Sequence, residues 1–147
     1  ELRLTDSGGE NWYVTKSTST GAGRFMWTGG TADVAISSDS RHFAPLGIHQ
    51  GISTGTFMVF VIGKPSNLVS FRARTNDPVG VGATRTFTVM ISGTTDLPEV
   101  ILSSGENDES WEGSVFISSG EWISIQHETS GNPGASIAGW SLIFEPT

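Results

Sequence analysis

The 147-residue sequence has no cysteine, and only 2 Lys and 6 Arg stand against 15 acidic residues, giving a formal net charge of −7. The missing cysteine excludes a disulfide framework, a thiol nucleophile and any Cys-ligated zinc or iron–sulfur site. The shortage of cations excludes a broad phosphate-binding surface, so nucleic acid is not an expected partner. Long hydrophobic runs are also missing. Crossing a bilayer as a helix takes about 20 apolar residues, and the longest run here is Phe57-Met58-Val59-Phe60-Val61-Ile62. That length suits a strand, so no membrane span is expected. Helix signals are nearly absent, because Leu, Ala, Lys, Glu and Gln never gather into a 3.6-residue pattern.

In place of these residues the chain carries 20 Ser, 16 Thr and 19 Gly, with 5 Trp and 8 Phe. A disordered acidic tail has few aromatics; this chain has enough to build a core. One domain of this length closes a single hydrophobic core. Low Lys with high Ser, Thr and Gly is a composition shared with secreted, surface and virion proteins. The chain starts at Glu1 rather than Met, which implies removal of an initiator, a leader or an upstream region.

Short β-rich runs alternate with Gly, Asn, Asp and Pro clusters. Strands are expected near Leu2–Thr5, Trp12–Thr15, Arg24–Trp27, Ala32–Ile36, Phe43–Ile48, Thr56–Ile62, Asn67–Arg74, Arg85–Ser92, Glu99–Ser103, Ser114–Ile117, Trp122–Glu128 and Ile137–Phe144. Period two puts Phe87, Val89 and Ile91 on one face of their strand. It likewise sets Ile123 and Ile125 against Trp122, Ser124 and Gln126, and Trp140, Leu142 and Phe144 against Ser141 and Ile143. Phe57–Ile62 is apolar on both faces, which calls for cover on both sides. Gly29-Gly30, Asn76-Asp77-Pro78, Ser104-Gly105 and Gly131-Asn132-Pro133-Gly134 are turn chemistry, and Ser118-Ser119-Gly120-Glu121 reads as a hairpin turn. The pattern predicts an all-β fold, a two-sheet antiparallel sandwich of jelly-roll type. Residues 1–23 read as an N-terminal arm or edge strands, with Lys16–Gly23 composed like a flexible joint. Residues 24–147 read as the jelly-roll domain.

From Phe57 to the C-terminus the chain resembles jelly-roll domains of uncharacterised bacterial and phage surface and fibre proteins. The resemblance rests on Asn67–Arg74 before the glycine-containing loop Asn76–Gly82, on Arg85-Thr86-Phe87-Thr88-Val89, and on Val115–Ile117 leading to Glu121-Trp122-Ile123-Ser124-Ile125. The final Ser130–Pro133 loop before Trp140-Ser141-Leu142-Ile143-Phe144 completes it. Family members carry Gly-Asp where this chain has Gly120-Glu121, and a longer Asn-Gly turn in place of Ser92-Gly93-Thr94. The organisation is similar to trimeric C1q/TNF-like and phage-fibre jelly rolls. The resemblance implies that fold in an extracellular or virion setting, and it carries no catalytic residues.

Candidate chemistry is sparse. Glu106, Asp108, Glu109 and Glu112 crowd one segment and are a Ca²⁺ candidate, although the spacing lacks the EF-hand pattern; a solvated acidic loop that discourages edge pairing is the stronger reading. Asp77 is a weaker calcium candidate, better explained by turn formation. His42 and His49, with Asp33 and Asp39, have metal-ligating side chains, but seven-residue spacing in a strand sends the two histidines to opposite faces. His127 shares a parity with Ile123 and Ile125, so it is expected inside, hydrogen-bonded and pH-sensitive. No Gly-x-Ser-x-Gly elbow supports a hydrolase triad, and Gly80-Val81-Gly82 is not a phosphate loop because no helix or Lys follows. Glu99, Glu121 and Glu128 sit beside strands as a glycosidase pair would, with nothing to fix their separation. Trp12, Tyr13, Trp27, Trp111 and Trp122 are candidates for sugar stacking, with Trp111 expected to be the most exposed.

The expected function is a non-enzymatic structural module of a virion or extracellular surface, without a cofactor unless calcium binds. It would work as a homo-oligomer, either a trimer or a strand-exchanged polymer. Leu2, Leu4, Phe57, Phe60 and Ile62 are the expected self-association residues. The alternative is a carbohydrate- or receptor-binding lectin-like module with Trp111 as its platform.

Overall fold

A computed structural model describes residues 2–5, 11–14, 23–31, 35–37, 40–48, 60–92, 94 and 97–147. Every element among them is a strand. In chain order they are β1 (Leu2–Thr5), β2 (Asn11–Val14), β3 (Phe25–Gly30), β4 (Arg41–Phe43), β5 (Gly47–Ile48), β6 (Phe60–Val61), β7 (Ser66–Thr75), β8 (Thr84–Ile91), β9 (Glu99–Leu102), β10 (Asp108–Ile117), β11 (Trp122–Ser130) and β12 (Ala138–Pro146). Among the described residues, β1 and β2 pair with each other alone. One main sheet has the order β10-β7-β12-β3-β5; the other has the order β4-β11-β8-β9, with β6 also on β11. Pairing within the sheets is antiparallel, except for the short parallel contact of β5 with β3. From β3 onward the chain changes sheet at each connection, apart from β8 to β9.

The two sheets form a β-sandwich over one core. Leu68, Phe71, Trp140, Leu142 and Phe144 from the first sheet meet Phe87, Val89, Leu102, Ile123 and Ile125 from the second. Strand parity explains this set wherever the strands are regular, as in β12, where buried and half-buried residues alternate strictly. β7 breaks parity, because Leu68 and Phe71 are both buried although three apart. The register shows the reason: Leu142 faces Phe71 and Phe144 faces Leu68, so β7 spends one extra residue at Val69–Ser70. Such a bulge returns both side chains to the same face.

Several expectations need correction. Glu106–Glu112 is not a loop: β10 begins at Asp108 and pairs along β7 through Glu112. The Ser118–Glu121 turn closes with Glu121 N–H donating to Ser118 O at 3.2 Å, and Gly120 adopts φ 90°. It is not a hairpin, because β10 joins one sheet and β11 the other. Both strands have an apolar face, and each buries it from opposite sides of the core. The Phe43–Ile48 strand divides into β4 and β5 in different sheets, with buried Pro45 between them; its carbonyl accepts the Trp140 indole N–H at 3.0 Å. Of the Ala32–Ile36 strand, the described part is an isolated bridge from Ile36 to Ser136.

Candidate functional site

No helix is long and apolar enough to cross a membrane among the described residues. The same residues contain no group of three or more His, Asp or Glu side chains placed to hold a metal ion. In the calcium candidate this follows from strand geometry. Period two sends Asp108 and Glu112 to the opposite face from Glu109. Each acid also has a local partner. Arg72 grips Asp108 with two nitrogens, its Nε at 2.7 Å; Ser70 Oγ donates to Glu112 at 2.7 Å, and Ser103 N–H donates to Glu106 at 2.7 Å. The guanidinium holds Asp108 below the usual carboxylate range, chiefly through its hydrogen bond, and the same contact raises Arg72.

Trp111 is not on an exposed loop. It stands opposite Phe71 in register and packs against the core, half-buried. Its indole folds over Gly113, where an added Cβ would lie 2.3 Å from the ring; this explains a glycine two residues along the same face. Trp27 is committed to the inside as well, 4.9 Å from the Phe144 ring. Glu121 accepts Ser118 N–H at 2.6 Å, and Thr88 donates to Glu99 at 3.4 Å. The Asn76–Pro78 turn is stitched to the last strand: Asn76 Oδ1 accepts from Ser136 Oγ and from Ile137 N–H, each at 2.7 Å. His49, Asp33, Asp39 and Phe57 lie outside the described residues, as do the side chains of Leu2, Leu4, Trp12, Tyr13 and Phe60. Ile62 is buried in the core, while neighbouring Val61 is 60% exposed, so the two-faced burial expected for this run does not extend to Val61.

His127 is buried as its parity predicts, and it meets a residue that the sequence did not single out. Arg85 has no exposed surface. Its Nη1 donates to His127 Nε2 at 3.1 Å. Its other bonds go to the carbonyls of Ile36 at 3.1 Å, Ser37 at 3.3 Å and Gly134. Burial pushes the guanidinium below its ordinary value. Arginine only donates, so Nε2 must accept and the imidazole is neutral. The signal was available: Arg85 has the parity of Phe87, Val89 and Ile91.

The outer face of the β10-β7-β12-β3 layer has a different character. Met26 lies opposite Ile143 in register. Met26 is 60% exposed, and Phe116, outward on edge strand β10, is 55% exposed. A concavity of about 490 Å³ lies across this face, lined by Arg24, Val69, Ser70, Glu112, Ile143 and Glu145. Within it Arg24 pairs with Glu145 at 2.5 Å, and Ser70 Oγ donates a hydrogen bond to Glu112. The chain matches no family model, no curated protein and no solved structure. The functional reading therefore rests on this geometry and on the sequence.

Proposed function

We propose that the chain is a non-enzymatic structural module of a virion or extracellular surface assembly, acting through self-association. The observation that carries the reading is the outer face of the first sheet. Met26, Ile143 and Phe116 stand on it, rimmed by three cations, Arg24, Arg72 and Arg74, and three carboxylates, Asp108, Glu112 and Glu145. Uncovered apolar surface with a polar rim marks an interaction site, and a face without net local charge docks against its own copy without repulsion. The strand order β10-β7-β12-β3 facing β11-β8-β9, with the chain alternating between layers, supports the jelly-roll reading. The jelly rolls it resembles assemble as closed three-fold rings, and the low-Lys, Ser/Thr/Gly-rich composition supports an exposed setting. Trp111, half-buried against the core, offers the lectin alternative only part of an indole face.

Light scattering at micromolar concentration tests the proposal. The wild-type chain should weigh a multiple of 15.6 kDa, and Met26→Glu combined with Phe116→Glu should reduce it toward the single chain, because a desolvated unpaired charge opposes docking. A wild-type particle that is strictly monomeric refutes self-association. An oligomer indifferent to both substitutions refutes this face.

A further inference from the structure

The outer face of the first sheet is complementary to itself in charge and in shape. Directly opposed residues share a face, and the registers set out three rows across the strands. One runs Asp108–Arg74–Gly139, the next Ser110–Arg72–Ser141–Thr28, and the third Glu112–Ser70–Ile143–Met26. Two ion pairs close within the face, Arg72 with Asp108 and Arg24 with Glu145. They leave one charge at each end. Among the described residues Arg74 makes no hydrogen bond or ion pair, since Asp108, opposite it in register, is gripped by Arg72. Glu112 accepts a hydroxyl hydrogen bond from Ser70 and, among the described residues, meets no cation.

The relief of the face follows the same rows. Met26, 60% exposed, and Ile143 raise the third row. The first row has no side chain at Gly139, and a recess of about 390 Å³ opens there, lined by Gly29, Arg72, Arg74, Gly139 and Ser141. Gly139 has no left-handed φ to require it, and a Cβ there would meet Gly29 O at 3.6 Å, an ordinary contact. A strand glycine with neither reason suits a place where another surface comes close. The raised and the recessed positions on β12, Ile143 and Gly139, are four residues apart, about 13 Å. Arg74 and Glu112 are separated by the same two rows and by one strand, about 14 Å in all.

We propose that this face docks on the same face of a second copy about a two-fold axis lying across the strands at the Arg72–Ser141 row. Such a rotation lays each end of the face over the other end of its copy. Arg74 of one copy then meets Glu112 of the second copy, and the contact is made twice. Met26 and Ile143 of one copy come down toward the recess beside Gly139 of the other. Arg72 falls near the axis, where like charges approach, and there Asp108 neutralises it. This rests on the self-association proposed above and specifies its symmetry and its charged contacts. It joins copies in pairs, and a larger ring or fibre would add a further contact.

Charge reversal in the full chain tests the pairing. Arg74→Glu sets carboxylate against carboxylate at both contacts, and Glu112→Arg sets guanidinium against guanidinium. Each variant alone should dissociate at least about tenfold more readily than the wild type in sedimentation velocity. Mixed in equal amounts, the two variants restore both opposite-charge contacts and should form a one-to-one heterodimer of twice 15.6 kDa. Assembly of the mixture also shows that both chains are folded. Arg74→Gln and Glu112→Gln repeat the test without reversal, and their effects on the dissociation constant should be non-additive in the double variant. Single reversals that assemble as the wild type does overturn the pairing. So do a mixture of folded variants that stays dissociated and additive glutamine substitutions. If Met26→Glu with Phe116→Glu dissociates the oligomer while the reversals do not, only this pairing falls. If the wild type is a monomer, the self-association reading falls with it.

Discussion

Replacing Arg85 by methionine tests the buried polar contact most sharply. Arg85→Met removes the guanidinium donor to His127 Nε2, which is buried together with Arg85. A buried acceptor without a partner costs about 1–3 kcal/mol. The carbonyls fare better: Ile36 O keeps its bond from Ser136 N–H at 3.1 Å, and Ser37 and Gly134 are exposed enough to rehydrate. Relief of the guanidinium's desolvation offsets part of the loss, so the net destabilisation is expected at about 1–2 kcal/mol. His127→Leu has the mirror effect, leaving Nη1 with Ser37 O as its remaining acceptor. The double variant leaves neither orphan. It should be less destabilised than the sum of the single variants by about 1–3 kcal/mol. The assay is urea unfolding followed by tryptophan fluorescence at pH 7.5, with all four proteins compared at constant m-value. Additivity of the two substitutions within about 0.5 kcal/mol refutes the contact.

Three further outcomes follow from the packing. Phe144 is fully buried between Phe25 and Trp27, so Phe144→Ala should cost about 3–5 kcal/mol in the same urea assay. A Cβ on Gly29 would fall 2.4 Å from Trp140 Nε1 and 2.9 Å from Pro45 O; Gly29→Ala should cost about 1–3 kcal/mol, and Trp140→Phe in the same chain should recover part of it. Because β10 divides the acidic residues between faces, 1 mM Ca²⁺ should leave the melting temperature unchanged within about 1 °C, whereas a ligand at a hundred times its Kd would add about 2.7 kcal/mol.

How far the fold could be read depends on whether a strand keeps its period. β8, β11 and β12 were legible because their inward residues recur every second position, and the same rule placed His127. β7 was less so: the bulge at Val69–Ser70 brings Leu68 and Phe71 to one face, and its signature is a register against β12 and β10 that no single strand contains. β10 failed for another reason. Its first half carries Asp108, Glu109 and Glu112, which local propensity assigns to a loop. Cross-strand partners outweigh that preference: Arg72 and Ser70 on β7 hold Asp108 and Glu112, and Phe71 receives Trp111. Nothing within Glu106–Glu112 announces those partners from nearly forty residues away.

Turns and edges show the same limit from the other side. Ser119-Gly120 marks a turn in the sequence, because glycine tolerates its φ of 90°, but the hairpin expected over Ser118–Glu121 does not form. Turn chemistry fixes the local reversal but not whether the emerging strand pairs back or crosses to the opposite layer. Burial decides that: Val115 and Ile117 before the turn and Ile123 and Ile125 after it all need the interior, and only opposite sheets give both pairs the same core. The outer face is least legible of all. Met26 and Ile143 lie far apart in sequence and meet through the β3–β12 register. An exposed apolar residue means little singly, so a shared apolar patch emerges only once the register has set these residues side by side.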